Sequence, residues 1–136
     1  MSIDTMRTIR SVEALGGARL RLEWSDGTVA DLSVSRVGDP ADVEVGEWGQ
    51  SLIWPDGFEI GADSLWLSTL DAIGREDSRQ FLEWRLANGL SLAKAADALG
   101  LARRTVAYYS NGDRRVPKTV LLACAGWEAT HRRKAA

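Results

Sequence analysis

Arg103 and Arg104, with Thr105 and Tyr108 just beyond them, are the residues of this 136-residue chain best suited to recognise another molecule. A guanidinium offers a planar fork of N–H donors. The fork fits the O6 and N7 acceptors of a guanine edge, or two oxygens of a phosphate. The stretch that follows, Asn111-Gly112-Asp113-Arg114-Arg115-Val116-Pro117-Lys118, brings three further cations to the same region. Other chemistry is sparse. Cys124 is the single cysteine, so no internal disulfide forms, and the apolar run VLLACAGW around it predicts a small buried hydrophobe. The single histidine, His131, lies in a basic tail. The sequence carries no metal-ligand spacing, glycine-rich phosphate loop or nucleophile elbow. No metal, cofactor or catalysis is therefore expected. Asp26 and Asp56 sit in two similar W-x-D-G segments. They would serve either as a carboxylate pair or as hairpin turns, and the absence of a nearby nucleophile favours turns.

The elements that must carry the arginines read as two short helices. Ala95, Ala96 and Leu99 form an apolar stripe at helical spacing, with Ser91 as N-cap. Gly100 ends that helix and Leu101 re-enters the core. Val106 and Tyr109 then continue a second helix, which leaves Arg103, Arg104, Thr105 and Tyr108 facing out. This is the layout of a helix-turn-helix, whose second helix lies in the DNA major groove. Before it, Phe81, Leu82 and Trp84 predict a helix beginning near Ser78 and ending at Asn88-Gly89. After it, Pro117 suits the first turn of a helix reaching about Ala129.

The first half is strand-like. Leu20, Leu22 and Trp24 alternate with Arg19, Arg21 and Glu23. Ser25-Asp26-Gly27 turns the chain, and Thr28 to Val34 returns. A second hairpin runs from Ser51 to Trp54, turns at Pro55-Asp56-Gly57 and returns over Phe58 to Ile60. Asp39-Pro40 marks the loop between them. Ser64 to Ile73 predicts a short helix, and Gly74 to Asp77 a linker. Six tryptophans are present, four of them in this half. Most should be core, with Trp48 the best candidate for an exposed protein-binding residue.

With 45% hydrophobic and 26% charged residues the chain should fold. No apolar run approaches the ~18–20 residues that span a bilayer, and the start lacks a signal-peptide core, so a cytoplasmic protein with no membrane partner is expected. The net charge of −2 conceals a split. Residues 1–75 carry 6 Arg against 13 Asp and Glu, net −7, and residues 76–136 carry 11 Lys and Arg against 6 acids, net +5. Two domains with these boundaries are expected. The basic one suits a polyanion, and the acidic one points away from it or towards a basic protein.

From about Phe81 to Trp127 the chain resembles the lambda-repressor-like, Cro/C1-type helix-turn-helix family. Arg85, Gly89-Leu90-Ser91, Ala96, Leu99-Gly100-Leu101, Arg103-Arg104-Thr105-Val106, Asn111-Gly112 and Pro117 carry the resemblance. It implies a DNA-binding regulator of double-stranded DNA, expected to act as a homodimer. Base edges would be met by Arg103, Arg104, Thr105 and Tyr108. The sugar-phosphate backbone would be met by Ser91, Asn111, Gly112, Arg114, Arg115 and Lys118. Three positions depart from the family pattern. Leu92 replaces a common glutamine, Ala102 replaces a capping Ser or Thr, and Ser110 replaces the acid that pairs with the Arg85 position, so that pair is expected to be lost. The usual fifth helix looks missing or merged into the fourth. From about Arg19 to Trp66 the segments RLRLEWSDGTVADLS and IWPDGFEIGADSLW resemble a small bacterial family catalogued as domain of unknown function number 2442. That family is associated with toxin–antitoxin-like gene neighbourhoods. The combination implies an α+β chain: a small strand-rich domain, then an all-α helix-turn-helix domain. An antitoxin-like autorepressor with a basic toxin as partner fits it. The competing reading is a protein-interaction module that uses the tryptophan-rich domain and does not bind DNA.

Overall fold

The period-two pattern of the first half is realised directly. In the computed structural model Leu20, Leu22 and Trp24 are fully buried on one face of a strand, while Arg19 and Arg21 face out. Residues 7–34 and 40–135 are described, without the side chains of Pro40 and residues 133–135. Asp39, half of the expected loop between the hairpins, lies outside them, as do the side chains of Arg133 and Lys134 in the basic tail. The chain divides into two compact units, one ending at Gly74 and the other beginning at Arg75. Strands in the first and helices in the second make an α+β fold.

The first unit holds two antiparallel meanders. One is β1 (Ile9–Gly16), β2 (Arg19–Trp24) and β3 (Val29–Ser33), with Leu20 opposite Leu32 and Leu22 opposite Ala30. The other is β4 (Glu44–Val45), β5 (Ser51–Ile53) and β6 (Glu59–Gly61). Helix α1 (Ala62–Ala72) follows and buries Leu65, Trp66 and Leu70. It begins two residues before the expected start. Strand β1 has no counterpart in the sequence expectations, because it is exposed along most of its length and only Ile9 is buried. The rings of Trp24 and Trp66 meet edge to face at 4.9 Å, and the Trp24 indole N–H donates to Thr69 Oγ1 at 3.0 Å. Such a ring pair adds ~0.5–1.5 kcal/mol beyond the area it buries.

The two W-x-D-G segments form the same turn twice. Thr28 N–H donates to Asp26 Oδ1 at 3.0 Å and Phe58 N–H donates to Asp56 Oδ1 at 3.0 Å. Gly27 and Gly57 share φ 91°, a region closed to residues with a Cβ without strain. These carboxylates hold turns, as the absence of a nucleophile indicated.

Among the described residues the second unit has four helices: α2 (Glu76–Ala87), α3 (Leu92–Leu99), α4 (Arg103–Asn111) and α5 (Lys118–Ala135). Phe81, Trp84, Leu90, Ala95, Ala96, Val106, Tyr109, Val116 and Cys124 form its core. Burial pushes the Cys124 thiol up to about 12, in keeping with a packing role. Helix α2 starts at Glu76, so Glu76 and Asp77 are not linker; acids in a first turn complement the helix dipole. Helix α5 continues six residues past the expected end. An Arg132–Glu128 ion pair and the stacking of His131 on Trp127 at 3.7 Å support that extension. Among the described residues this one long helix follows α4, in keeping with a fifth helix that is missing or merged into the fourth.

Candidate nucleic-acid interface

Helices α3 and α4 are joined by a tight turn. Gly100 takes a left-handed conformation (φ 69°), and the Leu101 N–H donates back to Ala96 O at 2.9 Å. Ala95, Ala96 and Val106 are buried, with Leu99 and Leu101 packed against them. At the start of α3 the Lys94 N–H donates to Ser91 Oγ at 3.1 Å. The predicted cap is therefore made, and the Ser91 O–H remains able to donate to a phosphate. Leu92, where the family often has glutamine, is half-buried against the core.

Helix α4 carries the residues expected to meet base edges. Its N-cap, Ala102, is extended (φ −74°, ψ 148°) and supplies no side-chain cap. The first amide N–H groups, at the positive end of the helix dipole, are left without that partner. Arg103 and Arg104 in this turn are exposed. Neither makes a hydrogen bond or ion pair among the described residues, and the same holds for Arg115 and Lys118. Thr105 and Tyr108 are half-buried. Valine 106 and Tyr109 point the opposite way, and the Phe81 ring meets Tyr109 edge to face at 5.4 Å. The spacing predicted in the sequence thus separates a packed face from a free, cationic one.

The segment after α4 continues that surface. Asn111 closes the helix half-buried, and Gly112 follows with φ 78°. Asp113, Arg114 and Arg115 are exposed, and Lys118 opens α5. The Arg114 guanidinium lies 4.3 Å from the centre of the Tyr108 ring. A base-reading candidate and a backbone-binding candidate are therefore brought together as one stacked pair. Arg103 and Arg104 have no such attachment. His131 is not part of this surface by any described contact; its Nδ1 lies 2.8 Å from Trp127 O within α5.

Ser110 carries no charge, so the ion pair with Arg85 is lost as expected, but a neutral link remains in its place. Arg85 is 1% exposed, and its Nη1 donates to Ser110 Oγ at 2.8 Å while its Nε donates to Leu90 O at 2.9 Å. The Ser110 hydroxyl in turn donates to Val106 O at 2.8 Å. A neutral hydroxyl accepts from a guanidinium as a carboxylate does, without the charge. The link ties α2, and the turn before α3, to the packed side of α4.

Arg75 and Asp77 lie in the run Gly74 to Asp77 that the sequence predicts as linker. Arg75 donates to Gly112 O and, at 3.0 Å, to Arg114 O. Asp77 Oδ2 accepts the Val116 N–H at 2.8 Å. Both therefore hold the basic segment from behind. The single sequence signal was the pair of acids at 76–77, which marks a helix start better than a linker.

Residues 82–126 match the Helix-turn-helix family. No curated protein matches the chain. A solved structure, "Putative DNA Binding Protein NE0471" from Nitrosomonas europaea ATCC 19718, is similar with 36% identity and a TM-score of 0.64. The similarity covers 93% of this chain and 89% of that one. Such identity over nearly the whole of both chains means that the protein belongs to the same family as the Nitrosomonas europaea protein, with a helix-turn-helix in its second half.

Proposed function

We propose that the protein is a sequence-specific DNA-binding transcriptional regulator. In this reading residues 76–136 bind double-stranded DNA and residues 1–75 mediate dimerisation or bind a protein partner. The observation that carries it is the exposed first turn of α4, where Arg103 and Arg104 have no partner among the described residues. An arginine set against a guanine contributes ~1–3 kcal/mol of discrimination. Thr105 and the Tyr108–Arg114 pair border the same face. Ser91, Asn111, Gly112, Arg115 and Lys118 are assigned to the sugar-phosphate backbone, where contacts set register and affinity. The naming of the Nitrosomonas europaea relative as "Putative DNA Binding Protein NE0471" supports the DNA-binding reading.

One such module covers only a short half-site, so the active form is a homodimer on a two-fold operator. The acidic first unit suits a basic partner, because complementary charge steers encounter. With the resemblance to family number 2442, a toxin partner and an antitoxin-like autorepressor follow. The role is regulatory rather than catalytic. Among the described residues no group of His, Cys, Asp and Glu could hold a metal ion, and no helix is long and apolar enough to cross a membrane.

Fluorescence anisotropy on the DNA upstream of the gene, across a salt series, tests the reading. Selective binding that weakens with salt, and that is lost in Arg103→Ala/Arg104→Ala, is expected. Equal binding by the double variant would remove the assignment. A second reading, interaction without DNA, is favoured by Trp48 alone. It is 81% exposed and holds φ 60°, unusual for a residue with a side chain. Absence of binding to any DNA at low salt would select it.

A further inference from the structure

We infer that Arg75 and Asp77 are positioning residues for DNA binding: a buried-side clamp that holds the segment Gly112–Val116 in the conformation that faces the phosphates. The inference rests on the DNA-binding reading and adds residues that no motif assigns. A backbone segment laid against a polyanion must turn its carbonyl oxygens away, since their dipoles oppose phosphate charge. Here two carbonyls of the segment, those of Gly112 and Arg114, accept from one guanidinium, Arg75. That guanidinium is fixed in its turn. Its Nε lies 3.3 Å from Asp77 Oδ1, and its Nη2 lies 3.4 Å from Asp77 Oδ2 and 3.3 Å from Ser78 Oγ. Asp77 Oδ2 also takes the Val116 N–H, at the point where the segment re-enters the core. Asp113, Arg114 and Arg115 are left exposed between these anchors.

Arg75 is not itself placed to meet DNA. Its side chain is 18% exposed, and its donors are spent on the protein. The fork matters rather than the charge: a planar guanidinium reaches two carbonyls and a carboxylate at once, which a lysine ammonium on a flexible stem does not reproduce. Arg75 also directly follows Gly74, the last residue of the first unit, so the clamp sits where the two units join in sequence.

The test uses the full chain and the duplex upstream of its gene, at a temperature well below melting. Log affinity is followed against log salt for wild type, Arg75→Lys, Arg75→Ala and Asp77→Ala. Arg75→Lys is expected to bind more weakly, with a slope shallower by roughly 1–2, since each lost phosphate contact removes about one. Were Arg75 a direct phosphate contact, lysine would keep both affinity and slope. Asp77→Ala separates the remaining explanations. Removal of a negative charge tightens binding by long-range attraction, whereas release of the segment loosens it. Amide exchange should also quicken at Asp113–Val116 and stay slow in α3 and α4. Wild-type slope and affinity in Arg75→Lys, or tighter binding by Asp77→Ala, overturns the clamp while the DNA reading stands. A wild-type protein that binds no DNA removes both, and the exchange data then leave the contacts as structural only.

Discussion

The two units differ in where their cations are left without partners. In the first, Asp26 and Asp56 each accept the N–H two residues on within their own turns, and Asp26 also pairs with Arg7 at 2.6 Å. Arg21 and Asp31 face each other across neighbouring strands at 2.8 Å. In the second unit, Arg103, Arg104, Arg115 and Lys118 make no such contacts among the described residues. Satisfied charges belong to the fold, and unsatisfied ones of a single sign, gathered on one helix turn and the next loop, are available to a ligand. The comparison also separates arginines of one unit. Arg85 and Arg75 are drawn inward to hold the framework, and Arg103 and Arg104 are left exposed.

That contrast breaks most readily at the extremes. Trp24→Ala, at a fully buried ring, should cost ~3–5 kcal/mol of stability, read by urea unfolding. A loss below 1 kcal/mol would mean that the first unit does not depend on its tryptophan core. Arg103→Ala/Arg104→Ala should do the reverse. Thermal stability stays within ~0.5 kcal/mol of wild type, while operator affinity drops by about 2–6 kcal/mol. A destabilised double variant would place the arginines in the framework after all. Ser110→Ala removes an acceptor from a buried guanidinium and should cost ~1.5–3 kcal/mol by thermal unfolding. No change would return the Arg85 link to the lost pair that the sequence suggested. Gly57→Ala meets nothing within 4 Å, so only its positive φ resists, at ~1–2 kcal/mol. Gly27→Ala should match it if the two tips are the same turn.

The smallest effect is one of pH. Burial alone would raise the Asp77 carboxyl, but the Arg75 guanidinium and the N–H groups of Val116 and Ser78 outweigh it and hold the group below the usual carboxylate range. The folded chain therefore binds its proton less readily than the unfolded one. Stability from this group is complete above about pH 4 and is lost as the pH falls through the depressed value. The difference in melting temperature between wild type and Asp77→Asn should narrow between pH 5 and pH 2, read by thermal scans. A constant gap would mean that the charge of Asp77 does not support the segment.

Much of this was legible without coordinates. The alternation of Leu20, Leu22 and Trp24, the stripe of Ala95, Ala96 and Leu99, the cap at Ser91 and the turns at Gly27, Gly57 and Gly100 each depend on a few neighbouring residues. Local sterics and short-range hydrogen bonds decide them. Strand β1 escaped because an exposed strand has no apolar period. The Arg103–Arg104 face followed from helical spacing alone. What the sequence determined is therefore the set of elements, their turns and the free cationic edge of α4. Only the tertiary structure decided that Arg75 reaches carbonyls 37 and 39 residues away, that Asp77 receives the Val116 N–H, and that Ser110 keeps Arg85. Those contacts join residues distant along the chain, and their energies exist only once packing has brought the partners together.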